Sequence, residues 1–209
     1  MSVQIHDMDQ GTPEWFAIRA GRPTASEFST IMASGRGGAP SKTRRTLMLK
    51  LAGEILTGEP AESYSNAAME RGHEMEAEAR NLYAFMADVE PVQVGFVTNK
   101  RPGCSPDALV GERGGLEIKT RAPHLMIDTL LKGEMPPEHM AQVQGCMWVC
   151  EREWWDFAAY YRGLPLFTKR IERDEAYIAR MASAVAEFTE ELDEVVASIR
   201  ARMGESEAA

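Results

Sequence analysis

Asp107 and Glu117 stand ten residues apart, Lys119 follows two residues later, and apolar residues flank both acids. Between them Gly111-Glu112-Arg113-Gly114-Gly115 reads as a glycine-rich hairpin connection joining strand-like runs over 104–110 and 116–120. Side chains alternate along a strand, so Glu117 and Lys119 share one face while Leu116 and Ile118 share the other. Antiparallel pairing across the hairpin then brings Asp107 beside Glu117. Two carboxylates that close do not both stay ionised cheaply without a cation. Oxygen ligands of this kind suit Mg²⁺ or Mn²⁺ rather than Zn²⁺. A protonated lysine is no ligand for such an ion; it holds an anion or a nucleophilic water instead. These are the demands of phosphodiester hydrolysis, in which a metal acidifies a bound water and a cation stabilises the charge of the transition state. The plain alternative is an exposed hairpin bearing an ordinary Glu–Lys pair.

These side chains need a frame, and the sequence predicts one. Thr12 and Pro13 open a short helix as N-cap and first helical residue. Thr24 and Glu27 have the spacing of a capping box, and residues 35–40 form a flexible loop. A helix runs from Ser41 through Leu47, Leu49, Leu51 and Ile55 to Thr57-Gly58, and another spans about Ala67 to Met86. Residues 92–97 alternate like a strand. A helix follows Pro136-Pro137 and runs from Glu138 to about Cys150; Trp154–Tyr161 and Leu166–Ile171 are candidate paired strands. Asp174 caps a last helix whose apolar residues, Ile178, Met181, Val185, Phe188, Leu192, Val195 and Ile199, form one seam facing a core or a partner. The expectation is a single α/β domain over 1–209, with 203–209 a disordered tail.

Composition narrows the classes. With 44% apolar and 26% charged residues the chain is that of an ordinary globular protein, not a disordered one. No apolar run reaches the ~20 residues of a membrane span, and Met1–Gln10 lacks the apolar core of a signal peptide. Cys104, Cys146 and Cys150 show no framework spacing, so a reducing cytoplasmic setting is expected and an iron–sulfur cluster is not. His6, His73, His124 and His139 show no metal-ligand spacing. The net charge of −9 argues against a general nucleic-acid coat, but residues 1–50 hold seven basic groups against four acidic ones. The last 39 residues hold ten acids and four bases. Ser41-Lys42-Thr43-Arg44-Arg45 therefore reads either as a phosphate-contacting stretch or as a solvated helix start.

Ser105-Pro106-Asp107 followed by Glu117-Ile118-Lys119 resembles the PD-(D/E)XK nuclease motif. Further strings extend the resemblance: Trp15 to Gly21, Thr24 to Glu27, Arg71 to Glu76, Met140 to Gln144, Met147 to Val149, and Ile171 to Glu175. Over nearly the whole chain these resemble the lambda exonuclease (YqaJ-type viral recombinase) family. The resemblance implies a restriction-endonuclease-like core, a central mixed sheet flanked by helices. It implies Asp107, Glu117 and the Ile118 carbonyl as ligands of Mg²⁺ (or Mn²⁺), with Glu76 as an additional acid, direct or through water. Lys119 would position or activate the water, and Gln142 would contact it or the phosphate. Arg19, Ser26 and Ser105 would bind a DNA 5′-phosphate. On their own residues, Glu76 is one of a run with Glu70, Glu74 and Glu78, Arg19 is an ordinary helix arginine, Gln142 a structural one, and Trp15 reads as core. The pattern departs from the family between Lys119 and Gln142, where the segment is shorter and His139 replaces an aromatic, leaving Arg121 and Lys132 unassigned.

The implied activity is a Mg²⁺-dependent 5′→3′ exonuclease that degrades one strand of linear duplex DNA and leaves 3′ overhangs for annealing. Implied with it are a homotrimeric ring, a single-strand-annealing partner protein, and action of a phage or prophage protein in the bacterial cytoplasm. Two rivals stand beside it: a site- or structure-specific endonuclease of the same superfamily, and a non-catalytic module that binds DNA ends.

Overall fold

Two seven-residue strands, β6 (Gly114–Thr120) and β7 (Trp154–Tyr160), run side by side and parallel at the centre of the computed structural model, which describes residues 3–35, 41–61 and 67–207. A parallel pair requires a long crossover, and helices α5 (Pro123–Lys132) and α6 (Met140–Cys150) lie in that connection. β5 (Ala108–Val110) pairs antiparallel with β6, with Ala108 opposite Leu116. β2 (Pro91–Val92) flanks β5, and β8 (Phe167–Glu172) returns antiparallel to β7. The mixed sheet has the order β2-β5-β6-β7-β8. A smaller antiparallel sheet joins β1 (Gln4–His6), β3 (Phe96–Thr98) and β4 (Gly103–Cys104).

Three expectations are corrected here. Residues 92–97 are not one strand: β2 and β3 belong to different sheets, and at Gly95 an added Cβ would lie 2.2 Å from the Met8 carbonyl. Residues 104–110 likewise divide between β4 and β5, because Pro106 offers no N–H to a ladder. Gly114 and Gly115 belong to β6 rather than to the turn. A Cβ on Gly115 would stand 2.3 Å from the ring of Trp155, so the central strands close only over glycine.

The alternating faces sort the core. Leu116 and Ile118 pack with Ala108, Val110, Ala158 and Tyr160 beneath Ala79 and Tyr83 of α4 (Ala67–Ala87). The opposite face, with Leu109, Trp155, Phe157 and Ala159, lies against Val143, Met147 and Val149 of α6 and the buried stripe of α7 (Glu175–Glu207). That stripe covers the chain's own core. It follows the predicted seam to Leu192 and then runs through Val196, while Ile199 is exposed. The helix continues to Glu207.

Both predicted N-terminal caps form. Thr12 accepts the Trp15 N–H of α1 (Pro13–Arg19), and the Thr24–Glu27 capping box starts the turn before α2 (Phe28–Met32). α3 (Lys42–Thr57) ends at Gly58 with φ 72°, the left-handed conformation that favours glycine. Arg44 of α3 fits neither reading of its basic stretch. It is only 7% exposed and grips Glu191 of α7 with two bonds of 2.7 and 2.8 Å. Residues 36–40 of the expected loop lie outside the described residues.

Candidate active site and phosphate anchor

β6 delivers Glu117 and Lys119 to the α6 side of the sheet, as strand alternation requires, while Leu116 and Ile118 take the other. Glu117 is 2% exposed, and its Oε1 accepts from Lys119 Nζ at 2.6 Å and from Gln142 Nε2 at 2.6 Å. Its Oε2 is buried and has no partner among the described residues. Asp107, one residue before β5, accepts the Ile118 N–H at 2.5 Å, so the hairpin does bring it beside the second acid. α6 presents Gln142 because Gln144, 1% exposed, ties the helix to Glu172 O (2.9 Å) and Asp174 N (3.0 Å).

Electrostatics mark this group as wanting a cation. Burial, then the charges of Glu117 and Glu76, pushes the Asp107 carboxyl well above its usual range, against the pull of the Ile118 N–H and Lys119. Burial also pushes Glu117 up, although Lys119 and Gln142 favour its charged form. Burial opposes the Lys119 ammonium, but Glu117 and Asp107 more than restore it, and it stands above its ordinary value. Lys119 is therefore protonated at neutral pH and neutralises one of two acids. A second positive charge is missing. The orphaned Oε2, beside a carboxylate that resists ionising alone, fits a hard divalent ion. Glu76 of α4 is bound instead to Arg80 at 2.8 Å. Among the described residues no three His, Cys, Asp or Glu side chains form a metal cluster by themselves.

Two residues upstream of Asp107 the character inverts. The Ser105 hydroxyl accepts from Arg19 Nη1 at 2.8 Å and from the Trp15 indole at 3.1 Å. The guanidinium lies over the Trp15 ring, 4.1 Å from its centroid. Burial lowers the Arg19 pKa, and no carboxylate among the described residues is bonded to it. Trp15 is thus half-buried and engaged with Arg19 and Ser105, a correction to its reading as core. Its indole N–H also donates to Gly95 O at 3.0 Å. Ser26 is exposed and bonded to Thr24 at 3.2 Å, not to Arg19 or Ser105. Beside the Arg19–Ser105 pair a cleft of about 220 Å³ is lined by Trp15, Arg19, Thr24, Glu27, Lys50 and Glu54.

Comparison with known proteins places likenesses over most of the chain. A profile of the YqaJ-like viral recombinase domain matches residues 14–153. The structure of LHK-Exo, an alkaline exonuclease from Laribacter hongkongensis, is 35% identical and superposes with a TM-score of 0.83, covering 93% of this chain and 99% of that one. Its complex with dAMP gives a TM-score of 0.84 at the same identity and coverage. A phage-related exonuclease from Haemophilus somnus 129PT, 16% identical, shares the fold over 85% of this chain and 96% of that one, with a TM-score of 0.65. ExoD of Escherichia coli (strain K12) is 41% identical over 70 residues, which are 32% of this chain and 80% of that protein.

Proposed function

The chain belongs to the YqaJ-like viral recombinase family, among whose structural relatives is an alkaline exonuclease, and we propose that it is a Mg²⁺-dependent 5′→3′ exonuclease on linear duplex DNA. The observation that carries this reading is the placement of Ser105 and Asp107 on one short stretch. Two fully extended residues span at most ~7 Å. A grip on a terminal phosphate therefore sits one short step from the acids that would serve the next phosphodiester. Such spacing favours removal of units from an end over cutting at an internal sequence.

Arg19 supplies an always-charged fork for the terminal phosphate, the Ser105 hydroxyl shares it, and Trp15 fixes the fork in place. Asp107, Glu117 and the Ile118 carbonyl would hold Mg²⁺ or Mn²⁺, with Glu76 contributing through water. When bound, that ion would acidify water and neutralise charge on the leaving oxygen. Lys119 holds the attacking water or the transition-state charge, and Gln142 orients Glu117. Ser26 would reach the phosphate only by releasing Thr24.

The product would be a duplex with a 3′ overhang, handed to a single-strand-annealing protein, with the enzyme acting as a ring-shaped trimer in the cytoplasm of a phage-bearing cell. No helix among the described residues is long and apolar enough to cross a membrane. The test is a linear duplex labelled at one end, with or without a 5′-phosphate, beside a closed circle. Magnesium-dependent loss from phosphorylated 5′ ends is expected, with the circle untouched. Cutting of the circle would turn the reading to an endonuclease, and binding without cutting to an end-binding module.

A further inference from the structure

Arg121 lies beyond the four residues that gather at Glu117, and nothing above uses it. Its backbone N–H bonds to Tyr160 O at 3.0 Å, which prolongs the β6–β7 ladder past Thr120. Strand alternation then lines up Glu117, Lys119 and Arg121 on one face. The Arg121 side chain is 12% exposed, an uncommon position for a guanidinium without a carboxylate in hydrogen-bond contact. Its Nη1 meets Nε2 of His139 at 3.1 Å. The Glu138 carboxylate stands 3.7 Å from Nη2 and is 58% exposed, so water screens it. The buried Nε has no acceptor among the described residues.

His139 does not cancel the charge. Its ring stacks on Phe157 with centroids 5.1 Å apart. Burial, then the charges of Lys119 and Arg121 against that of Glu138, brings it down to about 4, so at neutral pH it is a neutral acceptor. What remains is a pre-oriented, half-satisfied fork next to the lysine of the site. A buried N–H left unpaired is destabilising, and a ligand with convergent anionic oxygens would satisfy it. A phosphodiester has that geometry.

We propose that Arg121 binds a backbone phosphate of the DNA strand, distinct from the terminal phosphate held at Arg19; this rests on the nuclease reading above. The test measures binding of the full chain to a duplex with 5′-hydroxyl ends, so that the Arg19 anchor has no terminal phosphate. Calcium replaces magnesium, and salt is varied. Arg121→Gln is expected to weaken binding ~10-fold or more and to reduce the slope of log K against log salt by about 0.9, one phosphate contact. Arg121→Lys keeps the slope while losing part of the affinity, because a point charge replaces a fork. His139→Phe, which preserves the stack on Phe157, leaves the slope as in wild type. An unchanged slope for Arg121→Gln, or the same slope loss in His139→Phe, would overturn the proposal. Cleavage in magnesium is read separately: a wild type that binds but does not cut counts against the nuclease reading and leaves the slope to judge Arg121.

Discussion

The acid pair and the proposed phosphate anchor are two residues apart in sequence and opposite in electrostatic character. Around Glu117 there are two crowded carboxylates, one ammonium, and a buried oxygen without a partner. Around Ser105 there is a half-buried guanidinium whose bonded partner is a neutral hydroxyl. One region lacks a cation and the other lacks an anion. On the proposed function, a metal-bound nucleic-acid end would supply both. Each site is left short of one charge, which substrate and cofactor would complete.

Removing the lysine should have the largest effect. Lys119→Ala should lower kcat by ~10²–10⁴-fold, the range for loss of a positioned proton-transfer or charge-stabilising group. KM should change little, because the anchor is intact. Single-turnover rates on a 5′-phosphorylated duplex check this, and a loss confined to KM would move Lys119 from chemistry to binding.

Removing the anchor should act on binding and only where a phosphate is present. Arg19→Ala should cut kcat/KM by ~10–100-fold on 5′-phosphorylated ends, as expected for a charge-assisted hydrogen bond. On 5′-hydroxyl ends it should do almost nothing. Equal losses on both ends would assign Arg19 to holding Trp15 rather than phosphate.

The missing cation should also be visible in stability. Asp107 and Glu117 are raised in the folded state, so the native protein binds more protons than the unfolded chain above the ordinary carboxylate range near 4. Stability in EDTA should therefore fall as pH rises from about 5 toward 8. Asp107→Asn should flatten that fall and raise Tm in EDTA at pH 8. Magnesium should raise the wild-type Tm more than that of the variant. Thermal melts with and without the ion measure both, and an Asp107→Asn melt that keeps the wild-type pH slope would refute the like-charge account.

The smallest effect lies outside both regions. Arg44→Met removes the guanidinium bound to Glu191, whose side chain is 37% exposed. It should cost about 1 kcal/mol, a Tm loss of ~2–4 °C, and leave kcat unchanged. A change in DNA affinity would return Arg44 to the phosphate-contacting face.

The acid pair was legible because strand alternation and a hairpin constrain it locally. Leu116, Ile118, Glu117 and Lys119 take the faces that a period of two dictates. The meeting of Arg19 with Ser105 across 86 residues of chain was expected only through family resemblance, and Trp15, read as core, joins Ser105 across 90. Helix α5 was not anticipated, although Pro123 at its start, Gly133 with φ 65° past its end and its amphipathic pattern are ordinary signals. The cysteines looked unrelated by spacing, yet Cys104 and Cys150 bring their sulfurs to 3.4 Å between β4 and α6. The Arg121–His139 contact joins residues 18 apart across a helix, and no local period announces it.

The central claim is that Asp107 and Glu117 exist to hold a divalent ion against the scissile phosphate. The most direct test is the rate of nucleotide release by Glu117→Gln from a 5′-phosphorylated linear duplex, titrated with magnesium beside the wild type. The account predicts a wild-type rate that saturates with magnesium and a variant slower by ~10³-fold or more at saturation, with duplex affinity retained. A variant that hydrolyses as fast as wild type, or a wild type indifferent to magnesium, would contradict it.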